Sequence, residues 1–268
     1  MRITKLDLTR GHPLTGPVYV EDAKVGDTLE VSVLDLNPAD WGWTAIIPGF
    51  GLLGTDPLLE ALDFHGPYIH IWKLRNGKAR LSDSVELPLS PFLGVMGVAM
   101  AERGVYRTVP PRENGGNMDL RQLTKGSKLY LPVLVEGALF SCGDGHASQG
   151  DCEVCGSAIE TCMNATLRFR VIKDYPLKEP QFVTPNGSLT RLTDSSGYYG
   201  TTGFSPDLMT AARKAIRYMV DYLTKKHGLT PQDAYCLCSA IVDLKISSIV
   251  NTPNWLVSAF IPLCIFKS

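Results

Sequence analysis

The chain has 268 residues, with 26 Lys and Arg against 27 Asp and Glu, a formal net charge of −1. That length suffices for a large core, and the balanced charge leaves no electrostatic footprint for nucleic acid or an anionic membrane surface. No apolar run reaches the ~18–20 residues that span a bilayer, and Met1–Asp7 lacks a signal-peptide h-region, so a cytoplasmic protein is expected.

Alternation of apolar and polar residues predicts strands over Thr28–Leu36 and Tyr68–Leu74. Leu129–Val135 reads as a further strand, and so does Thr166–Ile172, where apolar residues alternate with Arg and Lys. Gly and Pro punctuate these segments throughout. Ser205-Pro206-Asp207 predicts a helix start: a hydroxyl N-cap, proline at the first helical position, then a carboxylate in the first turn. Leu208, Ala212, Ile216, Met219, Val220 and Leu223 recur at helical spacing, and Gly228 ends the helix. Thr230-Pro231 starts a second helix, short and apolar from Ala234 to Ile241. Asp243–Ser248 and Trp255–Ile261 predict strands that return to a sheet. The expected fold is mainly β with added α (α+β). Sandwich- or barrel-like sheets with long loops fill residues 1–180, a helix-containing part fills 181–268, and the two form one domain over 1–268.

The densest chemistry lies between two predicted strands, in Gly143-Asp144-Gly145-His146-Ala147-Ser148-Gln149-Gly150-Asp151-Cys152-Glu153. One imidazole, three carboxylates and one amide sit among glycines that allow tight turns. Such groups bind a hard or borderline metal ion and move protons. His146 is the best ligand candidate of the five histidines. His227 falls at a helix C-terminus, where the dipole accounts for it. His70 takes the polar phase of a strand, and His65 sits in a short loop with a cleft-lining role as one option. Asp144 is two residues before His146, so in extended backbone both side chains share a face, making Asp144 a co-ligand candidate. Asp151 and Glu153 stand in the same relation: one is a candidate ligand and the other a base, with Glu153 preferred as the general base. An Asx-turn is the plainer reading of Asp151. Gln149 is a candidate donor to a substrate carbonyl, or a loop brace. Trp41, Trp43, Tyr198 and Tyr199 are candidates for the walls of a small apolar pocket, with core packing as the alternative. Asp243 and Lys245 read most simply as an ion pair near a sheet edge.

Seven cysteines cannot all pair within the chain. Cys142, Cys152, Cys155 and Cys162 crowd one segment, but the second CxxC of a structural zinc site is missing. Cys236 and Cys238 read as small core residues.

Several long strings make the chain resemble the acetamidase/formamidase family of amide hydrolases. They are GDGHASQGDCEVCGSAIE (143–160), PPRENGGNMD (110–119), DWGWTAIIPGFGLL (40–53), PFLGVMGVAMA (91–101), GYYGTTGFSPDLM (197–209) and DLKISSIVNTPNWLVSA (243–259). The resemblance implies a mostly β fold with added helices, a small-molecule amide substrate and a homodimer or larger homo-oligomer. It also implies that Glu113–Asp119 is a second piece of the site, which brings in Asn117 for substrate and Asp119 for metal. Some family members carry His at the position of Asn114, so no metal role is expected there, and Arg112 is a candidate for holding a carboxylate product.

Amide hydrolysis needs an activated water, a polarised carbonyl and a proton for the leaving nitrogen. A divalent metal, zinc by preference and with a second ion such as calcium as an option, supplies the first two. The expected site is therefore His146, Asp144 and Asp119 for metal, Glu153, Asp151 and Gln149 for catalysis, and Asn117, Trp43 and Tyr198 for substrate. The alternatives are a cysteine-dependent amidase with Cys142 or Cys155 as nucleophile and His146 as base, a non-catalytic relative, and a hydrolase of other linear or cyclic amides such as lactams.

Overall fold

The computed structural model of the chain describes residues 11–54, 66–185, 197–248, 253 and 255–267. His65 and Met1–Asp7 lie outside them. In chain order the strands begin with β1 (Leu14–Val18), β2 (Thr28–Pro38), β3 (Trp41–Ile46), β4 (Tyr68–Arg75), β5 (Lys78–Arg80) and β6 (Glu86–Pro88). There follow β7 (Phe92–Gly97), β8 (Gly115–Asn117), β9 (Lys128–Pro132), β10 (Phe140–His146), β11 (Met163–Ile172), β12 (Gln181–Val183) and β13 (Tyr198–Ser205). Helices α1 (Leu208–His227) and α2 (Pro231–Ile241) precede β14 (Asp243–Ser248) and β15 (Trp255–Pro262).

The fold is mainly β with two helices. The strands form four sheets, ordered β1-β10-β7-β8, β11-β2-β9-β12, β3-β4-β5-β6 and β13-β15-β14. Each strand neighbour is antiparallel. β2 is central in its sheet, with Leu29, Val31 and Val33 in the core and Glu30, on the other face, buried beneath the ion-paired side chains of Lys128 and Arg170. β4 alternates exposed and buried positions toward its end, with Trp72 and Leu74 turned inward. The strand expected at Leu129–Val135 is shorter and ends at Pro132, which has no N–H to continue the ladder.

The first helix is capped by Asp207 rather than Ser205. The Asp207 carboxylate accepts from Thr210 N at 2.8 Å, and an anion suits a helix N-terminus better than a hydroxyl. Ser205 Oγ instead accepts from Asp207 N at 3.2 Å. Lys225, Lys226 and His227 fill the last turn, and Gly228 closes the helix at φ 66°. Thr230 caps α2 with Pro231 at the first position.

Two apolar cores result. One joins β3–β6 to both helices and β15, with Trp72, Leu87, Met219, Tyr235 and Ile261 among its buried members. The other lies among β2, β7, β9, β10 and β11, around Leu29, Val31, Met96, Leu131 and Phe140. The first core draws its members from both sides of residue 180. β10 starts in the second core at Phe140 and reaches the first at Ala147, just past His146. The acidic segment is thus held at the seam between two cores, and rigid elements fix it on both sides.

Candidate metal centre

β10 pairs with β7 so that His146 lies opposite Phe92 and Gly143 opposite Val95. Asp144 and His146, two apart on one strand, project together. His146 Nε2 is 3.4 Å from Asp144 Oδ2, 3.2 Å from Glu160 Oε2 and 3.9 Å from Glu153 Oε1. Asp119 completes the group: ligand atoms of Asp119, Asp144 and His146 all lie within 4.8 Å of one another, as do those of His146, Glu153 and Glu160.

Each acid is delivered by a different device. Asp119 follows β8, and its amide donates to Gly94 O at 3.3 Å. Glu160 is fixed against β3 by reciprocal backbone bonds with Trp43, at 2.8 and 2.9 Å, and also bridges His146. Glu153 ends a turn whose amide donates to Gly150 O at 3.2 Å. Asp119, Asp144 and Glu153 have φ of 47°, 59° and 43°. For a residue with a Cβ this left-handed conformation costs roughly 1–2 kcal/mol, and such strain gathers at functional sites. Room for the group comes from Gly94 on β7. A Cβ there would stand 2.6 Å from both Asp119 Oδ1 and Asp144 Oδ2, and 2.9 Å from His146 Cε1.

Gln149 sets the state of the imidazole. Its Nε2 donates to Asp119 O at 2.9 Å, so its Oε1 is the atom 2.9 Å from His146 Nδ1 and accepts that N–H. The Nε2 lone pair of a neutral His146 then points at the carboxylates. Phe92 packs edge-on against the ring, with centroids 5.0 Å apart. His146 is 1% exposed. Its Nε2 is within ion-pair distance of three acids yet in hydrogen-bond geometry with none, and Asp119 Oδ1 is likewise buried without a hydrogen-bond partner. An orphaned buried polar atom costs ~1–3 kcal/mol. A cation among these oxygens and this nitrogen satisfies both, so the donor set fits a divalent metal.

The protonation balance points the same way. Burial raises Asp119 to about 7, with Asp144 and Glu160 adding to the rise and His146 opposing it. Burial also drives Glu153 well above the usual carboxylate range, reinforced by Asp119, Glu160 and Asp144 against the pull of His146. For Asp144, burial is outweighed by the charge of His146 close by, with help from His12, and its carboxyl is held low. Burial opposes the imidazolium of His146, but Glu160 and Asp144 outweigh it and pull the group well above its ordinary value. Crowding four carboxyl groups around one imidazole raises the proton affinity of several of them, and a cation bound there would relieve the same repulsion.

Other expected residues are placed differently. Asp151 is turned away from the cluster: Arg121 Nε donates to its Oδ1 at 2.6 Å and Gln122 Nε2 at 3.0 Å. The i, i+2 relation with Glu153 fails because residues 151–153 form a turn outside any strand. Asp243 pairs with Arg121 at 3.2 Å and not with Lys245, which lies over the Phe260 ring. Asn117 donates to Val109 O at 3.0 Å. Trp43 is half-buried beside Glu160, whereas Tyr198 lies in the three-stranded sheet against Phe260, so the four aromatics do not share one wall. Arg112 donates to Arg107 O and Pro110 O. Cys155 is wholly buried, and burial raises the Cys142 thiol.

Glu160, Gly94 and His12 were not singled out from the sequence. Glu160 ends the longest family-like string, and Gly94 stands in a wholly buried strand, where a missing side chain marks close approach. His12 Nε2 is 3.9 Å from Asp144 Oδ2, and its Nδ1 meets Thr108 Oγ1 at 2.9 Å. Thr108 also lines a cavity of about 780 Å³ beneath the 98–114 segment.

The Acetamidase/Formamidase family model matches residues 1–105 and 99–268. The formamidase of Methylophilus methylotrophus is 32% identical, with 99% of this chain and 79% of that protein covered. The acetamidase of Mycolicibacterium smegmatis is 32% identical over 88% of this chain and 74% of its own length. Among solved structures, a gamma lactamase from Delftia acidovorans superposes with a TM-score of 0.86 at 27% identity, covering 98% of this chain and 79% of that one. An acetamidase from Bacillus halodurans gives 0.64 at 30% identity, covering 98% and 83%. The chain belongs to the acetamidase/formamidase family.

Proposed function

We propose that the protein hydrolyses small aliphatic amides of the formamide and acetamide type to a carboxylate and ammonia, with a divalent metal, zinc by preference, at the cluster. The observation that carries this reading is the pair of orphaned buried atoms, His146 Nε2 and Asp119 Oδ1, facing one another's carboxylate neighbours. His146, Asp119, Asp144 and Glu160 would hold the ion. When bound, such an ion lowers the pKa of water and polarises a carbonyl.

The chain's own residues supply the rest. Gln149 keeps the His146 proton on Nδ1, which leaves Nε2 available as a donor atom. Glu153 is the general base: its burial among acids raises its proton affinity, which suits a group that takes a proton from water and passes it to the leaving nitrogen. Phe92, packed on His146, limits bulk water on that side. Asp151 is removed from this scheme by Arg121 and serves the architecture instead. Self-association belongs to the same proposal: Val18, Tyr19 and Val105 are exposed apolar residues of the kind that pair copies. Sedimentation of the purified chain tests it, and a monomer at micromolar concentration removes it.

The test of activity is ammonia release from formamide and acetamide before chelation, after chelation, and with zinc restored. Loss on chelation and recovery with zinc is expected, and chelator-resistant turnover contradicts the metal reading. The gamma lactamase neighbour supports a second reading, ring opening of a cyclic amide. A γ-lactam opens without releasing ammonia, so following lactam disappearance in parallel separates the two. Glu153→Gln should abolish turnover while metal content stays the same, and full activity would remove its role as base.

A further inference from the structure

Beside the cluster lies a charged group that takes no part in it. Arg121, 7% exposed, forks onto two acids. Its Nε donates to Asp151 Oδ1 at 2.6 Å, and its Nη2 to Asp151 Oδ2 at 3.3 Å and Asp243 Oδ2 at 3.2 Å. Asp243 Oδ1 accepts from Asp151 N at 3.2 Å. Gln122, the next residue, also donates to Asp151.

The placement of these residues gives the group a purpose. Arg121 is two residues past Asp119, and Asp151 is two residues before Glu153. Asp119 and Glu153 both sit at positive φ, in segments that have no ladder to hold them. Asp243 is anchored at the start of β14, immediately after α2. The same junction receives the 148–155 segment through Ser148 Oγ to Ala240 O (3.0 Å), Gly150 N to Ser239 O (2.8 Å) and Cys155 N to Ser239 Oγ (3.1 Å). Gly150 permits that approach, since a Cβ there would meet Val242 O at 1.9 Å. A guanidinium presents a rigid fork that ties two carboxylates at fixed angles.

We infer that Arg121 is a positioning residue. Through Asp151 and Asp243 it clamps the Asp119 and Glu153 segments onto the α2–β14 junction and holds both acids in register with His146. The inference rests on the metal-centre reading above. Outer partners of this kind set metal affinity as well as stability, and losing one typically costs 10–100-fold in affinity or activity.

The experiment compares wild type, Arg121→Gln, Arg121→Lys and Asp151→Asn. Metal affinity is measured by chelator competition, the visible spectrum is recorded with cobalt(II), and thermal melting is followed. The expected result for Arg121→Gln is a cooperative melt, metal binding weakened 10–100-fold and an altered cobalt spectrum, with Lys restoring part of the affinity. Asp151→Asn, at a half-buried position, should weaken binding in the same direction and covers the case in which Arg121→Gln does not fold. Wild-type affinity and an unchanged cobalt spectrum in Asp151→Asn, or in folded Arg121→Gln, overturn the inference. If the wild-type protein itself binds no metal, the underlying metal reading fails, and the clamp goes with it.

Discussion

Gln149 joins His146 to Asp119: one end of its amide accepts from the imidazole at 2.9 Å and the other donates to the Asp119 carbonyl at 2.9 Å. A single side chain thus fixes the imidazole tautomer and the backbone of a neighbouring acid. Gln149→Ala removes both bonds from a residue that is 1% exposed. We expect metal affinity and kcat/KM to fall 10–100-fold. Gln149→Glu retains an acceptor for Nδ1–H but loses the donor to Asp119, so its loss should fall between Ala and wild type. Chelator competition on the three proteins checks this, and equal affinities would refute it.

Gly94 is the space the site occupies. Gly94→Ala places a methyl group 2.6 Å from two carboxylate oxygens, so Asp119 or Asp144 must move. Overpacking of this kind costs ~1–3 kcal/mol, so the fold should survive with a lowered melting temperature. Metal stoichiometry, read by elemental analysis after dialysis, should drop well below that of wild type. Alanine at Gly97, whose own contacts are with the backbone of Asn114 and Gly116, serves as a comparison: it disturbs the same strand without touching the acids.

How much of this is legible before folding varies residue by residue. Asp144 and His146 can be paired from sequence because they lie on a real strand, where residues two apart share a face. The same rule misplaces Asp151, because residues 151–153 form a turn outside any strand, whereas β10 keeps its register with β7 across the positive φ of Asp144. Asp119 emerges only through family-like strings, since Gly-Gly-Asn by itself reads as a turn. Glu160 is brought in by a backbone bridge to Trp43, more than a hundred residues away in sequence, and local pattern carries no trace of such a pairing. Tyr198 fails for a different reason: aromatic content identifies candidates for a pocket wall but gives no direction, and β13 carries it into another sheet. The strands and helices themselves are largely readable, because alternation, proline and capping residues act locally.

A thiol nucleophile predicts a different outcome from a metal centre. Among the described residues no cysteine joins the cluster within ligand distance. Burial raises the Cys142 thiol, and Cys155 Sγ lies in the core, 3.6 Å from Ala45 O and 3.5 Å from Ser157 O. Cys142→Ala and Cys152→Ala should therefore keep amide turnover within about twofold, because a nucleophile's loss costs orders of magnitude. Cys155→Ala should act on stability, by opening a small void, more than on kcat. A Cys142 variant with no activity and full metal content would revive the cysteine mechanism.

The metal-free protein should lose stability as pH rises through neutrality. Asp119 has an ordinary value of 3.8 and is raised to about 7 in the fold by burial, with Asp144 and Glu160 adding to the shift and His146 opposing it. The folded state therefore holds this proton more tightly than the unfolded chain. That contribution is fully present below pH ~4 and is lost as pH climbs through about 7. Glu153 and His146, both raised, act in the same direction, while the lowered Asp144 acts against them. Metal reverses the trend, because binding requires the deprotonated acids and strengthens as they ionise. Thermal melts of the chelated protein from pH 4.5 to 8 should show a falling midpoint, flattened in Asp119→Asn. Saturating zinc should raise the midpoint more at pH 8 than at pH 5. An identical slope in Asp119→Asn would show that the Asp119 carboxyl does not drive the effect, and a zinc shift independent of pH would show that the ion binds elsewhere.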